Sequence, residues 1–156
     1  MKIVKKRRKQ NKTDYLGRLK LLKSGKPRVV FRKTNKYIIT QYITSKQAQD
    51  KIVFGFTSKD LMKNGWTKES GSLKSIPASY LTGYLIGKQI IKKGLKMPIV
   101  DFGMVRVLHK TKTYAFLKGL IDSGVEIKCE KGFPDEEKIK GKVDIEKIKL
   151  EIDKLK

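Results

Sequence analysis

Fifteen lysines and arginines stand among the first 36 residues against a single acid, Asp14. That places +14 of the chain's formal net charge of +23 in less than a quarter of its 156 residues. Like charges at this density repel one another and resist burial, so the segment calls for a polyanion to neutralise it. Nucleic acid is the partner such a composition selects. The rest of the chain is more balanced: residues 37–109 carry 11 basic and 4 acidic side chains, and residues 110–156 carry 12 and 10. A binding face therefore belongs to the N-terminal part.

The length fits one domain with one substantial core. With 38% hydrophobic and 34% charged residues, that core is thin and the surface heavily charged. Cys129 is the only cysteine, which excludes an intrachain disulfide and fits a reducing, intracellular compartment. The longest uncharged run, Ser75 to Gly87, is too short to span a bilayer. The basic start has no apolar segment behind it, so it does not read as a secretory signal, and residues 1–12 lack the amphipathic, serine-bearing pattern of a mitochondrial presequence. A cytoplasmic protein with no membrane association is the expectation.

Residues 1–12 have almost no apolar content and read as a basic arm that stays disordered until a partner orders it. Residues 13–142 read as an α/β domain. Thr13 offers an N-cap, Tyr15, Leu19 and Leu22 follow at helical spacing, and Gly25 stands at the C-cap position. Strands are expected at Arg28–Arg32 and Tyr37–Ile43, joined as a hairpin through a loop in which Asn35 is suited to positive φ. A third strand falls at Lys51–Thr57, with Gly55 placed to mark a bulge, and Leu61–Trp66 reads as a turn or short helix closed by Gly65. The strongest helix runs from Ser75 to Gly94, with Pro77 in its first turn and a stripe of Ile76, Tyr80, Gly83, Gly87, Ile90 and Gly94. Such a stripe permits close backbone approach, and tight packing on the sheet is its simplest use. A fourth strand at Pro98–Phe102 completes a right-handed parallel β-α-β crossover. Thr113–Gly124 is a second amphipathic helix, with Phe116, Leu117, Leu120 and Ile121 inward. After an irregular stretch over 125–142, residues 143–156 form a helix with Ile145, Ile148, Ile152 and Leu155 on one face. It either packs on its own domain or docks another protein.

Catalytic parts are scarce. His109 is the only histidine and Cys129 the only thiol, twenty residues apart with no supporting motif; they read as a loop histidine and a small buried thiol. Metal-ligand spacing is absent, as are phosphate-cradling and dinucleotide-binding loops. A two-metal nuclease needs several carboxylates on strand ends. The first three expected strands hold none: Asp50 precedes the third, and the fourth holds only Asp101. Asp135, Glu136 and Glu137 read as a solvated turn or helix start. No catalytic residue, metal ligand or cofactor site is assigned.

The nucleic-acid signal rests on more than charge. Asn11, Tyr15, Thr34, Asn35, Tyr37 and Gln41 interleave with the basic residues and can hydrogen-bond or stack on bases. In a strand, Arg28, Val30 and Arg32 share one face and Val29 and Phe31 the other, which sets two guanidiniums on a surface opposite the buried face. Guanidiniums bind phosphate bidentately and stack on bases, a chemistry suited to folded RNA. No helix-turn-helix, zinc finger or basic zipper is present to read duplex DNA.

These residues also carry a family resemblance. KRRKQNKTDYLGRLKLLKSGKPRVVFRKTNKYIITQ closely resembles the N-terminal region of the L-eighteen family of large-subunit ribosomal proteins, in its archaeal and eukaryotic form. The likeness continues through FTSKDLMKNGW, PASYLTGYLIGK, VDFG, FLKGLIDSGVEI and PDEEKIKG, in order along most of the chain. It implies a single α/β domain with a mixed sheet, an N-terminal hairpin plus a parallel β-α-β crossover, flanked by two main helices. It also implies a non-catalytic role: binding 5S ribosomal RNA and helping attach it to the large-subunit rRNA in the central protuberance, beside neighbouring large-subunit proteins. Carried over position by position, the implied RNA contacts are Lys5, Lys6, Arg7, Arg8, Lys9, Asn11, Lys12, Thr13, Tyr15, Arg18, Lys26, Arg28, Arg32, Asn35 and Lys36. Gly17 departs from the family's basic residue before Arg18, and Lys110-Thr111-Lys112 stands where the family often has Gly-Ser-Arg. Rival readings are a ribosomal or RNA-chaperone module for a different structured RNA, and an RNA-processing enzyme that uses the arm to recruit substrate.

Overall fold

The computed structural model describes residues 3–10, 12–67, 69–130, 132–141 and 143–154. A four-stranded mixed sheet of order β3-β2-β1-β4 is built from β1 (Arg28–Lys33), β2 (Ile38–Lys46), β3 (Gln49–Thr57) and β4 (Ile99–Asp101). β1–β2 and β2–β3 pair antiparallel, while β4 lies parallel to β1. The helices are α1 (Lys6–Lys9), α2 (Tyr15–Lys23), α3 (Ile76–Lys92), α4 (Lys112–Asp122), α5 (Glu136–Lys140) and α6 (Ile145–Lys154), with a 3₁₀ helix at Ser58–Asn64. The mixed sheet, the hairpin and the β3-α3-β4 crossover match the sequence reading; β4 docks beside β1, at the far side of the hairpin from β3.

Two details of the strands differ from expectation. Asn35 does not take positive φ, because the Thr34 side chain closes the loop: its Oγ1 donates to the Tyr37 carbonyl at 2.7 Å and accepts the Tyr37 N–H at 3.0 Å. Positive φ falls instead at Gln47 and Ala48, in the two-residue turn between β2 and β3. The bulge is not at Gly55 either. Tyr42 faces Phe54 while Ile43 faces Ile52, so Val53 is the extra residue. Gly55 answers a different demand, since a Cβ there would lie 2.9 Å from Gln41 Cγ and 3.1 Å from the Thr40 carbonyl oxygen.

α3 is the centre of the molecule. One side of it packs Ile86 and Ile90 with Phe116, Leu120 and Val125 against Val29, Phe31, Ile38 and Tyr42 of the sheet. The other packs Leu81, Tyr84 and Leu85 with Leu61, Trp66, Ile139, Ile145, Ile148 and Ile152. Apolar residues all round this helix therefore have somewhere to go. Its N-terminus is set by Ser75, whose Oγ accepts from the Ala78 N–H at 3.3 Å. α6 buries its isoleucine face in the second cluster, so it packs on its own domain; Leu155 lies outside the described residues.

Gly83 and Gly87 of the glycine stripe are core, but their partner is α4 and not the sheet, while Gly94 lies exposed past the end of α3. A Cβ at Gly83 would collide with the Phe116 carbonyl oxygen, one at Gly87 with Ser123 Oγ, and one at Gly119 of α4 with the Tyr80 carbonyl oxygen. Ser79 donates to the Lys112 carbonyl at 2.6 Å, which fixes the start of the same contact. Ser79 meets Lys112, Gly83 meets Phe116 and Gly87 meets Ser123, so the two helices run side by side in the same direction.

The two glycines should differ when given a methyl. At Gly83 the obstacle is backbone, whereas at Gly87 it is a side chain able to turn away at the cost of its 2.6 Å bond to the Leu120 carbonyl. Gly87→Ala should lose about 1–3 kcal/mol, softened by alanine's better helix propensity, and Gly83→Ala more than that. Urea unfolding of both variants checks the order; equal or reversed losses contradict this packing.

Candidate nucleic acid interface

The sheet has two faces. Val29 and Phe31 point to α3 and α4, and Arg28, Val30 and Arg32 point the other way, as strand alternation dictates. The second face is not open, however. Arg28 is 2% exposed and Val30 7%, which corrects the expectation that both arginines stand free on a surface. The reason is α2, which lies on this face and shares a cleft with Arg32, Val100 and Asp101.

Sequence spacing misjudged how α2 sits. Its N-cap is Asp14, not Thr13; Leu19 is 50% exposed, and Leu21 and Leu22 are the half-buried apolar residues. The helix is anchored by charge. Arg18 donates from Nη1 to Asp50 Oδ2 at 2.9 Å and from Nη2 to the Ala48 carbonyl at 3.3 Å. Asp50 belongs to β3, because that strand begins two residues earlier than read from sequence.

Arg28 occupies the middle of this arrangement. Its Nη2 donates to Asp50 Oδ1 at 2.6 Å and to Ser45 Oγ at 3.1 Å, and its Nη1 donates to Asp101 Oδ2 at 3.1 Å. Asp101 Oδ1 in turn accepts from Arg32 Nη2 at 3.4 Å and from the Gly103 N–H at 2.7 Å. Gly103 has φ +62°, and a Cβ on it would lie 2.8 Å from the Arg32 guanidinium carbon. The VDFG run is thereby explained: Val100 and Phe102 face the core, Asp101 faces the arginines, and Gly103 leaves room for one of them. Burial alone would raise the Asp50 carboxyl, but hydrogen bonds from Ser45 and Arg18 and the charge of Arg28 outweigh it and hold it below the usual carboxylate range.

The arm approaches the same place. One helical turn, α1, forms in the segment read from sequence as unstructured, with every side chain exposed. Arg7 Nε donates to Thr13 Oγ1 at 3.0 Å, Arg8 pairs with Asp14 at 3.2 Å, and the Lys5 ammonium lies 4.5 Å from the Tyr15 ring centre. A cleft of about 480 Å³ results, lined by Arg7, Lys12, Thr13, Arg18, Lys20 and Arg32 among others. Its two acids, Asp14 and Asp101, are each paired with arginine. Lys5, Lys6, Lys9 and Lys26 are exposed, and Asn35 and Lys36 are exposed at the far tip of the hairpin, the length of β1 from Lys26. Asn11 lies outside the described residues. The structure thus gathers Arg7 and Lys12 of the arm with Thr13, Arg18 and Arg32 at one cleft, holds Tyr15 under Lys5, buries Arg28, and leaves Lys26, Asn35 and Lys36 at the strand ends.

Sequence reasoning missed Asp50, Asp101 and Lys20 as members of this face. The signal was the scarcity of acid before His109: two of the four carboxylates in residues 37–109 lie at strand ends. Elsewhere His109 is an exposed loop residue with its ring 4.8 Å from that of Tyr114. Cys129 is exposed, not buried, because residues 126–130 run irregularly over the surface. Among the described residues no cluster of His, Cys, Asp and Glu could hold a metal ion, and no helix is long and apolar enough to cross a membrane.

A folded α/β platform bears an arginine-lined cleft and a cationic arm whose nearby carboxylates are already paired, an electrostatic character suited to a polyanion. A family described as "Ribosomal large subunit proteins 60S L5, and 50S L18" matches residues 1–98. Large ribosomal subunit protein uL18 of Korarchaeum cryptofilum is 43% identical over 141 residues, 90% of this chain and 71% of that protein. Those of Methanothermobacter thermautotrophicus and Haloferax volcanii are 37% and 40% identical, over 90% and 81% of this chain and 72% and 67% of theirs. The chain belongs to this family of large-subunit ribosomal proteins. It is a structural, rRNA-binding constituent of the ribosome, and membership carries a structural role in place of a catalytic one.

Removing Arg28 should damage the fold itself. Arg28→Ala leaves Asp50 and Asp101 facing each other's surroundings without their shared cation, a loss of about 3–5 kcal/mol for a broken buried pair. Chemical denaturation measures it; a loss below about 1 kcal/mol would show that the pairing does not hold the face together.

Proposed function

We propose that this protein binds 5S rRNA with the arm, α2 and the sheet face, and helps attach that RNA to the large-subunit rRNA in the central protuberance, beside neighbouring large-subunit proteins. The observation that carries the proposal is the cleft. Residues distant in sequence from Arg7 to Gly103 meet there, and most of its cationic lining comes from the KTDYxxRLKLLxSxKPRxVxR run that resembles the family's 5S-binding region. Phosphate contacts from the arm would position the RNA, while Tyr15 and Asn35, uncharged within the basic stretch, would discriminate among RNAs. Tyr15 is half-buried and lies under Lys5, so its ring is held in place before binding.

The test is titration of the protein with 5S rRNA and with an unrelated folded RNA of equal length, in Mg²⁺, scoring cleavage alongside binding. If the face neutralises about six to ten phosphates, log K should fall against log salt with a slope of roughly −4 to −9, and deleting residues 1–12 should flatten it. Tyr15→Ala and Asn35→Ala should weaken binding to 5S rRNA more than to the other RNA. Equal losses on both RNAs, with folding intact, would refute 5S selectivity; RNA cleavage would return the enzyme reading.

A further inference from the structure

Asp50 and Asp101 on the binding face have the same sign as RNA, and by charge alone they should weaken its binding. Their geometry says otherwise. Each aspartate uses one oxygen inward on the buried Arg28 and the other outward on an arginine that reaches solvent: Asp50 on Arg18 at 2.9 Å, Asp101 on Arg32 at 3.4 Å. The side chains of Arg18 and Arg32 are 36% and 42% exposed and line the cleft together. A guanidinium has five N–H donors. Arg18 commits two of its groups to Asp50 and the Ala48 carbonyl, and Arg32 is fixed by the Phe31 and Asp101 carbonyls at 2.8 Å each as well as by the carboxylate. Both keep N–H groups for a phosphate. Their orientation is settled before RNA arrives.

We propose that Asp50 and Asp101 are positioning residues for RNA recognition, which hold Arg18 and Arg32 at a set separation through the buried Arg28 and so strengthen RNA binding despite their charge. The inference rests on the reading that this face takes 5S rRNA. A long cationic side chain free on the surface loses rotamer freedom when a phosphate captures it; one already tied to a carboxylate does not. The arginine planes are also kept in the pose that bidentate phosphate contact requires. Arg28 contributes by sitting between the aspartates, too covered to touch RNA itself.

The sign of one substitution tests this. Asp50→Asn raises the net charge by one, so simple electrostatics predicts tighter 5S rRNA binding and a steeper salt slope. Positioning predicts weaker binding, by about tenfold, in protein whose thermal unfolding shows it folded. Asp50→Glu should recover most of the loss. In an Arg18→Ala background, Asp50→Asn should no longer weaken binding, because the residue it acts through is gone. If Asp50→Asn does not fold, Ser45→Ala, which removes the 2.7 Å bond to Asp50 Oδ1, should give a smaller loss of the same sign. Unchanged or tighter binding by the folded variant, or an equal loss in the Arg18→Ala background, overturns the proposal alone. An Arg18→Ala variant that binds 5S rRNA normally overturns the reading of the face, and the proposal with it.

Discussion

A guanidinium buried between two carboxylates is the constraint on which the basic side of this molecule depends. Arg28 ties β1 to β3 through Asp50 and to β4 through Asp101, and the same aspartates hold α2 and the loop after β4. Buried ion pairs add little net stability compared with apolar residues of the same shape, because desolvation offsets most of the attraction. What they supply is geometry. An apolar residue at position 28 would pack against α2 in several ways, whereas a guanidinium with two carboxylate partners accepts few. The arginines that reach solvent are placed as a consequence.

The apolar core and the concentrated positive charge thereby lie in different layers. Both hydrophobic clusters lie on the α3 side of the sheet, and the closest packing, glycine against carbonyl, is between α3 and α4. α2, with no fully buried residue, rests on the opposite face by ion pairs and partly covered leucines. Self-repulsion among the cations of the arm and α2 thus falls on elements that contribute no buried residue to the core. Such a division keeps the core apart from most of the charge of a chain of net +23 and concentrates the field on one side.

The strands, the hairpin, the crossover and both main helices were legible because each is written in local periodicity and punctuated by Pro77, Gly25, Gly65 and Gly124. Alternation correctly put Arg28 and Arg32 on one face. It could not say that a helix covers Arg28, since α2 has its leucines on several sides and is oriented by Arg18. The Gln47–Ala48 turn is hidden in the sequence because neither residue is a usual left-handed former, and the start of β3 is hidden for the same reason. Gly83 and Gly87 announced a close approach without naming α4 as its partner. Asp50 and Asp101 looked like isolated acids, because ion partners 22 and 73 residues apart leave no local pattern.

The central claim is that RNA occupies the arm, α2 and sheet side and leaves the α3–α6 side free. Lysine acetylation of the protein with and without 5S rRNA, read by peptide mass spectrometry, tests it most directly. Lys5, Lys6, Lys9, Lys12, Lys20, Lys26 and Lys36 should be protected by the RNA, and Lys140, Lys147 and Lys154 should react as they do in the free protein. Protection concentrated on the α5 and α6 lysines, with the arm and hairpin unchanged, would contradict this account.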